Sequence, residues 1–153
     1  MGLMAIPIML VEDNDDHAEL VMRAISRQRV SNGHSIALNI RRFADGPSAL
    51  DYIFQRGAYV DPQNNPRPRL ILLDLRLPGM DGFEVLRTVK DSDELRSIPV
   101  VVLTSSEADR DVVEAYAGQA NSYLVKPVGF EAFSELMKTL VSYWFGSNEL
   151  PRV

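Results

Sequence analysis

Leu70-Ile-Leu-Leu-Asp74-Leu-Arg76-Leu-Pro78-Gly-Met-Asp81-Gly82 is the segment on which the fold turns. Leu70 to Leu73 form an apolar run that does not alternate with polar residues, as in a parallel strand covered on both faces. The run stops at an acid, Asp74, and the Pro-Gly-Met-Asp-Gly turn leads into a helical pattern over about Gly82 to Lys90. An acid at the end of a buried strand needs charge compensation.

Three more segments share this form. Ile6 to Val11 ends at Glu12-Asp13, Val100 to Leu103 ends at Thr104, and the shorter Asn121 to Val125 ends at Lys126-Pro127. Ile36 to Phe43 alternates apolar and polar residues, as a half-buried edge strand does. Helical patterns lie between the strands. The first has an apolar stripe of Ala18, Val21, Ala24 and Ile25, with Asp15 or Asp16 as its expected cap, and ends before Ser31-Asn32-Gly33. The others run over about Pro47 to Arg56, Gly82 to Lys90, Asp109 to Ala117 and Phe130 to Phe145. Strict alternation of strand and helix predicts right-handed crossovers and a doubly wound (βα)5 α/β sandwich of three layers. In the flavodoxin-like parallel order 2-1-3-4-5, the carboxyl ends of strands one and three flank the switch point where such folds bind ligands. Glu12, Asp13, Asp74, Thr104 and Lys126 then converge on one edge of the sheet.

The chain has 153 residues, 46% of them hydrophobic, enough for one domain with a packed core. Its net charge of -5 argues against a protein built to neutralise a phosphate backbone. With no cysteine it has neither disulfides nor thiolate metal sites, which fits a reducing compartment, and a cytoplasmic location is expected. The apolar stretch Gly2 to Val11 lacks a basic flank and runs into two acids, so it does not read as a signal peptide. No segment is long and apolar enough to span a membrane.

Three carboxylates in one crevice raise one another's pKa values, and a cation lets them ionise together. Mg2+ fits best, because it takes oxygen ligands, keeps waters and is commonly held by carboxylates together with a phosphoryl oxygen. An aspartate so neutralised is a competent nucleophile toward phosphorus. The Lys126 ammonium and the Thr104 hydroxyl are suited to the charge on a transferring phosphoryl group. Each residue also has a plainer reading. Glu12-Asp13 suits a helix N-terminus, Thr104 a strand-end cap, Lys126 a solvated loop and Tyr123 a packing aromatic.

Val-Glu12-Asp13-Asn, Leu-Leu-Asp74-Leu-Arg-Leu-Pro78-Gly-Met-Asp81-Gly82, Val-Leu-Thr104-Ser-Ser and Tyr123-Leu-Val-Lys126-Pro127 together resemble the CheY-like receiver domain of two-component response regulators. The resemblance implies that Asp74 accepts a phosphoryl group from a phosphohistidine of a sensor histidine kinase. It implies Mg2+ held by Asp13 and Asp74, by Glu12 through water and by the backbone carbonyl of Arg76. Lys126 pairs with the phosphoryl group, next to a usually cis bond to Pro127. Thr104 and Tyr123 match the family's switch pair, a small bistable packing change that alters a distant surface. Arg76 and Ser106 border the route of the attacking water, and a long Arg76 side chain there implies slow dephosphorylation.

The proline-bearing loop Gly57 to Pro68 is similar to that of the small single-domain regulators partnered with phytochrome kinases. The expected organisation is a receiver over 1–146, a tail over 147–153 and no output domain; it is not a turnover enzyme on an external substrate. Phe133, Leu136, Met137, Leu140, Val141, Trp144 and Phe145 cover more of the last helix than one buried stripe needs. With Val112 and Tyr116 they suggest a homodimer through the fourth helix, fifth strand and fifth helix, unless Trp144 and Phe145 fold back on their own domain. His17 and His34 read as solvent-facing, and Arg41, Arg42, Arg67 and Arg69 as a solvated surface rather than a nucleic-acid site. Two other classes compete. A Mg2+-dependent phosphohydrolase commonly carries a second aspartate two positions after the nucleophile, here Arg76. A phosphate-independent interaction module of receiver type typically lacks one of the four motifs. A motor-binding chemotaxis receiver remains within the favoured class.

Overall fold

The computed structural model describes residues 5–26 and 37–151. Strands β1 (Ile6–Val11), β2 (Leu38–Phe43), β3 (Leu70–Leu73), β4 (Val100–Thr104) and β5 (Ser122–Val125) form one sheet of order β2-β1-β3-β4-β5. Every pairing is parallel. Between and after the strands lie α1 (Asp15–Ser26), α2 (Gly46–Ile53), α3 (Gly82–Lys90), α4 (Asp109–Ala117) and α5 (Phe130–Val141). This is the predicted sandwich and strand order.

The period of two along each strand divides the core. Ile8, Leu10, Leu70, Leu72, Val101 and Leu103 face α1 and α5. Met9, Val11, Ile71, Leu73, Val100 and Val102 face α2, α3 and the Ala115 side of α4. Both sets are buried, which is why the central strands read as unbroken apolar runs. Fully burying each such side chain is worth about 1.5–3 kcal/mol. The predicted stripe of α1 is buried as read.

Local chemistry sets the helix starts. The His17 amide donates to Asn14 Oδ1 at 3.0 Å, so Asn14 takes the capping role expected of Asp15 or Asp16. Asp45 accepts from the Ser48 amide and Asp81 from the Phe83 amide. Helix α2 ends at Ile53, short of the predicted Arg56, because Gln55 turns left-handed at φ 56°. Helix α5 ends at Val141 and continues as π-type turns over Ser142–Ser147. Trp144 and Phe145 fold back against the α1–α5 side of the core. Ser31-Asn32-Gly33, His34, Ile36 and the end of the tail lie outside the described residues.

Two further packing features shape the sheet. Phe43, Tyr52 and Tyr59 form an aromatic cluster, with ring centroids 4.9 Å apart for Phe43–Tyr52 and 5.5 Å for Tyr52–Tyr59. The Arg41 guanidinium lies 4.7 Å from the Tyr52 centroid and also donates to the side chain of Asn65. The long loop is thereby tied down, with one short 3-10 turn at Gly57–Tyr59. Elsewhere Lys90 is buried and gives its three protons to the Arg96 carbonyl, the Ile98 carbonyl and Asn121 Oδ1, at 2.9, 2.9 and 3.0 Å. Asn121 Oδ1 also accepts from the Val100 amide.

Candidate functional site

The carboxyl ends of β1, β3, β4 and β5 open onto a crevice of about 440 Å³ lined by Glu12, Asp13, Asp74, Arg76, Thr104, Ser106, Lys126 and neighbours. Register places them there: Val11 pairs with Leu73, so Glu12 and Asp74 follow side by side, and the Asp74 amide donates to the Val11 carbonyl at 3.0 Å. A carboxylate oxygen from each of Glu12, Asp13 and Asp74 lies within 4.8 Å of the others. Glu12 and Asp74 are buried and Asp13 is exposed.

Lys126 is the counter-charge, with its side chain 5% exposed. Its Nζ donates to Glu12 Oε1, to Asp74 Oδ2 at 3.0 Å, and approaches His17 Nδ1 at 3.0 Å. Burial, aided by the Asp74 charge, lifts the Glu12 carboxyl to about 7 against the pull of the Lys126 hydrogen bond. Burial also works to raise Asp74, but hydrogen bonding with Glu12, the Lys126 charge and the Arg76 amide outweigh it and hold the carboxyl below its usual range. The Arg76 amide donates to Asp74 Oδ1 at 3.2 Å. The cost of burial thus falls mainly on Glu12, while its neighbours favour the ionised form of Asp74 that a nucleophile needs. One ammonium set against three carboxylates leaves negative charge over, and an all-oxygen donor set with an exposed member suits a hard divalent cation that keeps waters.

Thr104 is fully buried, and its hydroxyl lies 3.5 Å from the Ser106 amide. Tyr123 is half-buried against the α2–α3 side of the core and donates from its hydroxyl to the Ser106 carbonyl at 3.0 Å. No cis peptide bond occurs among the described residues, so the expected cis bond before Pro127 is trans. Even before proline, trans is the lower-energy form by about 0.5–1 kcal/mol.

Residues 8–138 match the family model for the response regulator receiver domain. The chain belongs to this family. The probable methanogenesis regulatory protein FilR2 of Methanothrix harundinacea is 44% identical over 145 residues, 94% of this receiver and 86% of that protein. Response regulator Rcp1 of Synechocystis sp. is 36% identical, covering 94% of the receiver and 92% of Rcp1. Among solved structures, the phosphorylated cyanobacterial phytochrome response regulator RcpA has a TM-score of 0.88 at 33% identity, covering 97% of the receiver and 100% of that chain. The Mn2+-bound form of Rcp1 has a TM-score of 0.83 at 36% identity, covering 95% and 99%. The receiver is a two-component signalling domain with phytochrome-associated relatives, and among its described residues no helix is long and apolar enough to cross a membrane.

Three residues of the receiver's site were not singled out in the sequence. His17, read as solvent-facing, sits in the first turn of α1 and touches Lys126. Arg42, read as solvated surface, reaches from β2 to the Glu12 carbonyl with Nε at 2.9 Å and to the Asp13 carbonyl with Nη2 at 3.1 Å. Asp111 accepts from both Arg76 and Ser106. The first could have been found from its place in the first turn of α1, directly after the Glu12-Asp13 turn, which keeps it near the acidic end of the sheet. The other two depend on side chains meeting across 30 and 35 residues of chain, for which the sequence has no local signal.

Proposed function

We propose that this receiver accepts a phosphoryl group on Asp74 from a phosphohistidine of a sensor histidine kinase and changes its binding surface in response. The observation that carries this reading is the contact of Lys126 Nζ with both Glu12 and Asp74 at the carboxylate cluster. Asp74 Oδ is the attacking atom: its bond to phosphorus forms as the phosphorus–nitrogen bond of the phosphohistidine breaks, and the ring, already protonated on its other nitrogen, leaves as neutral imidazole. Lys126 follows the charge onto the new phosphoryl oxygens, and the Thr104 hydroxyl, at the end of β4, hydrogen-bonds one of them. Thr104 accepts from the Ser106 amide and Tyr123 donates to the Ser106 carbonyl, so both side chains bear on the backbone of one residue and movement of Thr104 is passed toward Tyr123.

Mg2+ is the cation proposed for the cluster, held by Asp13, Asp74 and the Arg76 carbonyl, with Glu12 acting through water. When bound, it neutralises the carboxylates and the incoming phosphoryl charge. The protein catalyses its own modification rather than turning over an external substrate, and it works in the cytoplasm, where its kinase presents the phosphohistidine. A phytochrome-type kinase is proposed from the RcpA and Rcp1 likeness and from the tied-down loop between α2 and β3. Self-association through α4, β5 and α5 is proposed from Tyr116 and its neighbour Val113, which are 51% and 67% exposed on α4; the expected Val112 is half-buried, and Trp144 and Phe145 pack on their own domain. A monomer by sedimentation at all concentrations, with and without a phosphoryl mimic, overturns that part.

The deciding experiment is incubation with acetyl phosphate, with and without Mg2+, followed by intact mass. A Mg2+-dependent adduct that Asp74→Asn abolishes is the expected result. Absence of an adduct with both acetyl phosphate and a phosphorylated histidine kinase overturns the reading and leaves a phosphate-independent interaction module.

A further inference from the structure

Asp111, on the first turn of α4, is 3% exposed, and its Oδ2 receives donors from two other elements. Arg76 Nη2, from the loop after β3, lies at 2.7 Å, and Ser106 Oγ, from the loop after β4, at 2.5 Å. Arg76 and Ser106 both line the crevice that contains Asp74, so a single buried carboxylate joins two parts of its wall. The Arg76 side chain is 59% exposed. Unpaired, a guanidinium there would spread over many rotamers; with a charge-assisted bond to a buried carboxylate it is held in one place. Its backbone is fixed as well, through the amide on Asp74 Oδ1.

An acid in a first helical turn also interacts with the helix dipole. Asp109 already supplies that at an exposed position, whereas Asp111 is turned inward and engaged by both loops. The dipole alone explains neither its burial nor its two donors.

We propose that Asp111 is a positioning residue that sets the lifetime of the phosphorylated state, an inference that rests on Asp74 being the phosphoacceptor. Hydrolysis places a water oxygen on phosphorus as the bond from phosphorus to the Asp74 oxygen breaks. The Asp74 carboxylate is regenerated, hydrogen phosphate leaves, and one proton passes to solvent. By holding Arg76 and Ser106 together, Asp111 narrows the approach of that water. Without its carboxylate the two loops separate at this point and the approach widens.

The test measures first-order loss of the adduct from the full chain after removal of acetyl phosphate, for the wild type, Arg76→Ala, Asp111→Asn and the double variant. Each single variant is expected to decay at least about threefold faster, and the double no faster than the faster single, because both remove the same bridge. A purely structural Asp111 would lower the unfolding midpoint without this non-additivity. Wild-type decay in Asp111→Asn, or a double-variant acceleration equal to the product of the singles, overturns the proposal. If Asp111→Asn does not fold, Ser106→Ala probes the bridge from the other donor, with non-additivity toward Arg76→Ala supporting it and independence overturning it. A chain that takes no phosphoryl group at all removes the functional reading and this inference together; a labelled chain with unaltered decay removes only this one.

Discussion

Arg42 Nε lies 2.9 Å from the Glu12 carbonyl oxygen, a contact by which β2 grips the turn that carries two of the three clustered carboxylates. The same guanidinium donates to the Asp13 carbonyl and pairs with Asp15 at 2.7 Å. The Asp15 end is exposed and contributes little. The two carbonyl contacts fix the backbone from which Glu12 and Asp13 project. Arg42→Ala is expected to weaken Mg2+ binding by about tenfold, the lower end of the range for groups that orient metal ligands. Calorimetric titration reads this directly, and an unchanged Kd refutes the role.

Glu12 makes the metal-free protein pH-sensitive. Its carboxyl rises from 4.5 to about 7 on folding, chiefly through burial. The folded protein therefore keeps this proton in a range where the unfolded chain has released it. The resulting stabilisation is complete below about pH 4.5 and is lost as pH rises through about 7. In urea unfolding without metal, the stability difference between wild type and Glu12→Gln is expected to fall across that window. A difference that stays level refutes the assignment. Adding Mg2+ at pH 7 is expected to raise the wild-type midpoint, because the cation binds the folded state alone.

Gly82 is a steric necessity rather than a turn preference. A Cβ there would stand 2.4 Å from the Asp74 carbonyl oxygen and 2.6 Å from the Leu75 Cα, and neither backbone atom can step aside cheaply. The start of α3 lies against the backbone that carries Asp74, joined to it by the Gly82 amide on the Leu75 carbonyl at 3.0 Å. Gly82→Ala is expected to lose about 2 kcal/mol or more, the scale of forced overpacking. A urea midpoint equal to the wild type refutes it.

The sheet is legible in the sequence because β1, β3 and β4 are covered on both faces and carry unbroken apolar runs. Strand ends are legible for a related reason: an acid, a hydroxyl or a lysine marks where the chain leaves the core. Glu12, Asp13, Asp74, Thr104 and Lys126 follow from that alone, and the structure gathers them at one crevice. Arg42 is not legible, since it falls in phase with Leu38 and Ile40 on the α1 side of β2, where the period gives no sign of the carbonyls that it meets. Asp111 is hidden similarly, as an acid beside Asp109 in a first helical turn. The surplus of apolar residues in α5 is partly explained by Trp144 and Phe145 turning back through the π-type segment, which no helical period anticipates.

Lys90 gives the edge of the sheet an unusual character. Its ammonium, held by carbonyls at the α3–β4 connection and by Asn121 just ahead of β5, behaves as a rivet through three elements. Burial depresses its pKa, a sign of how much solvation the folded protein has taken from it. Peeling β5 from β4 would strip a buried cation of one acceptor before water could replace it. The outer strand, half-buried and paired on one side alone, is thus anchored to the interior at the residue just before it begins. The lysine thereby fastens β5 at its amino end, the end of the sheet away from Lys126 and the crevice.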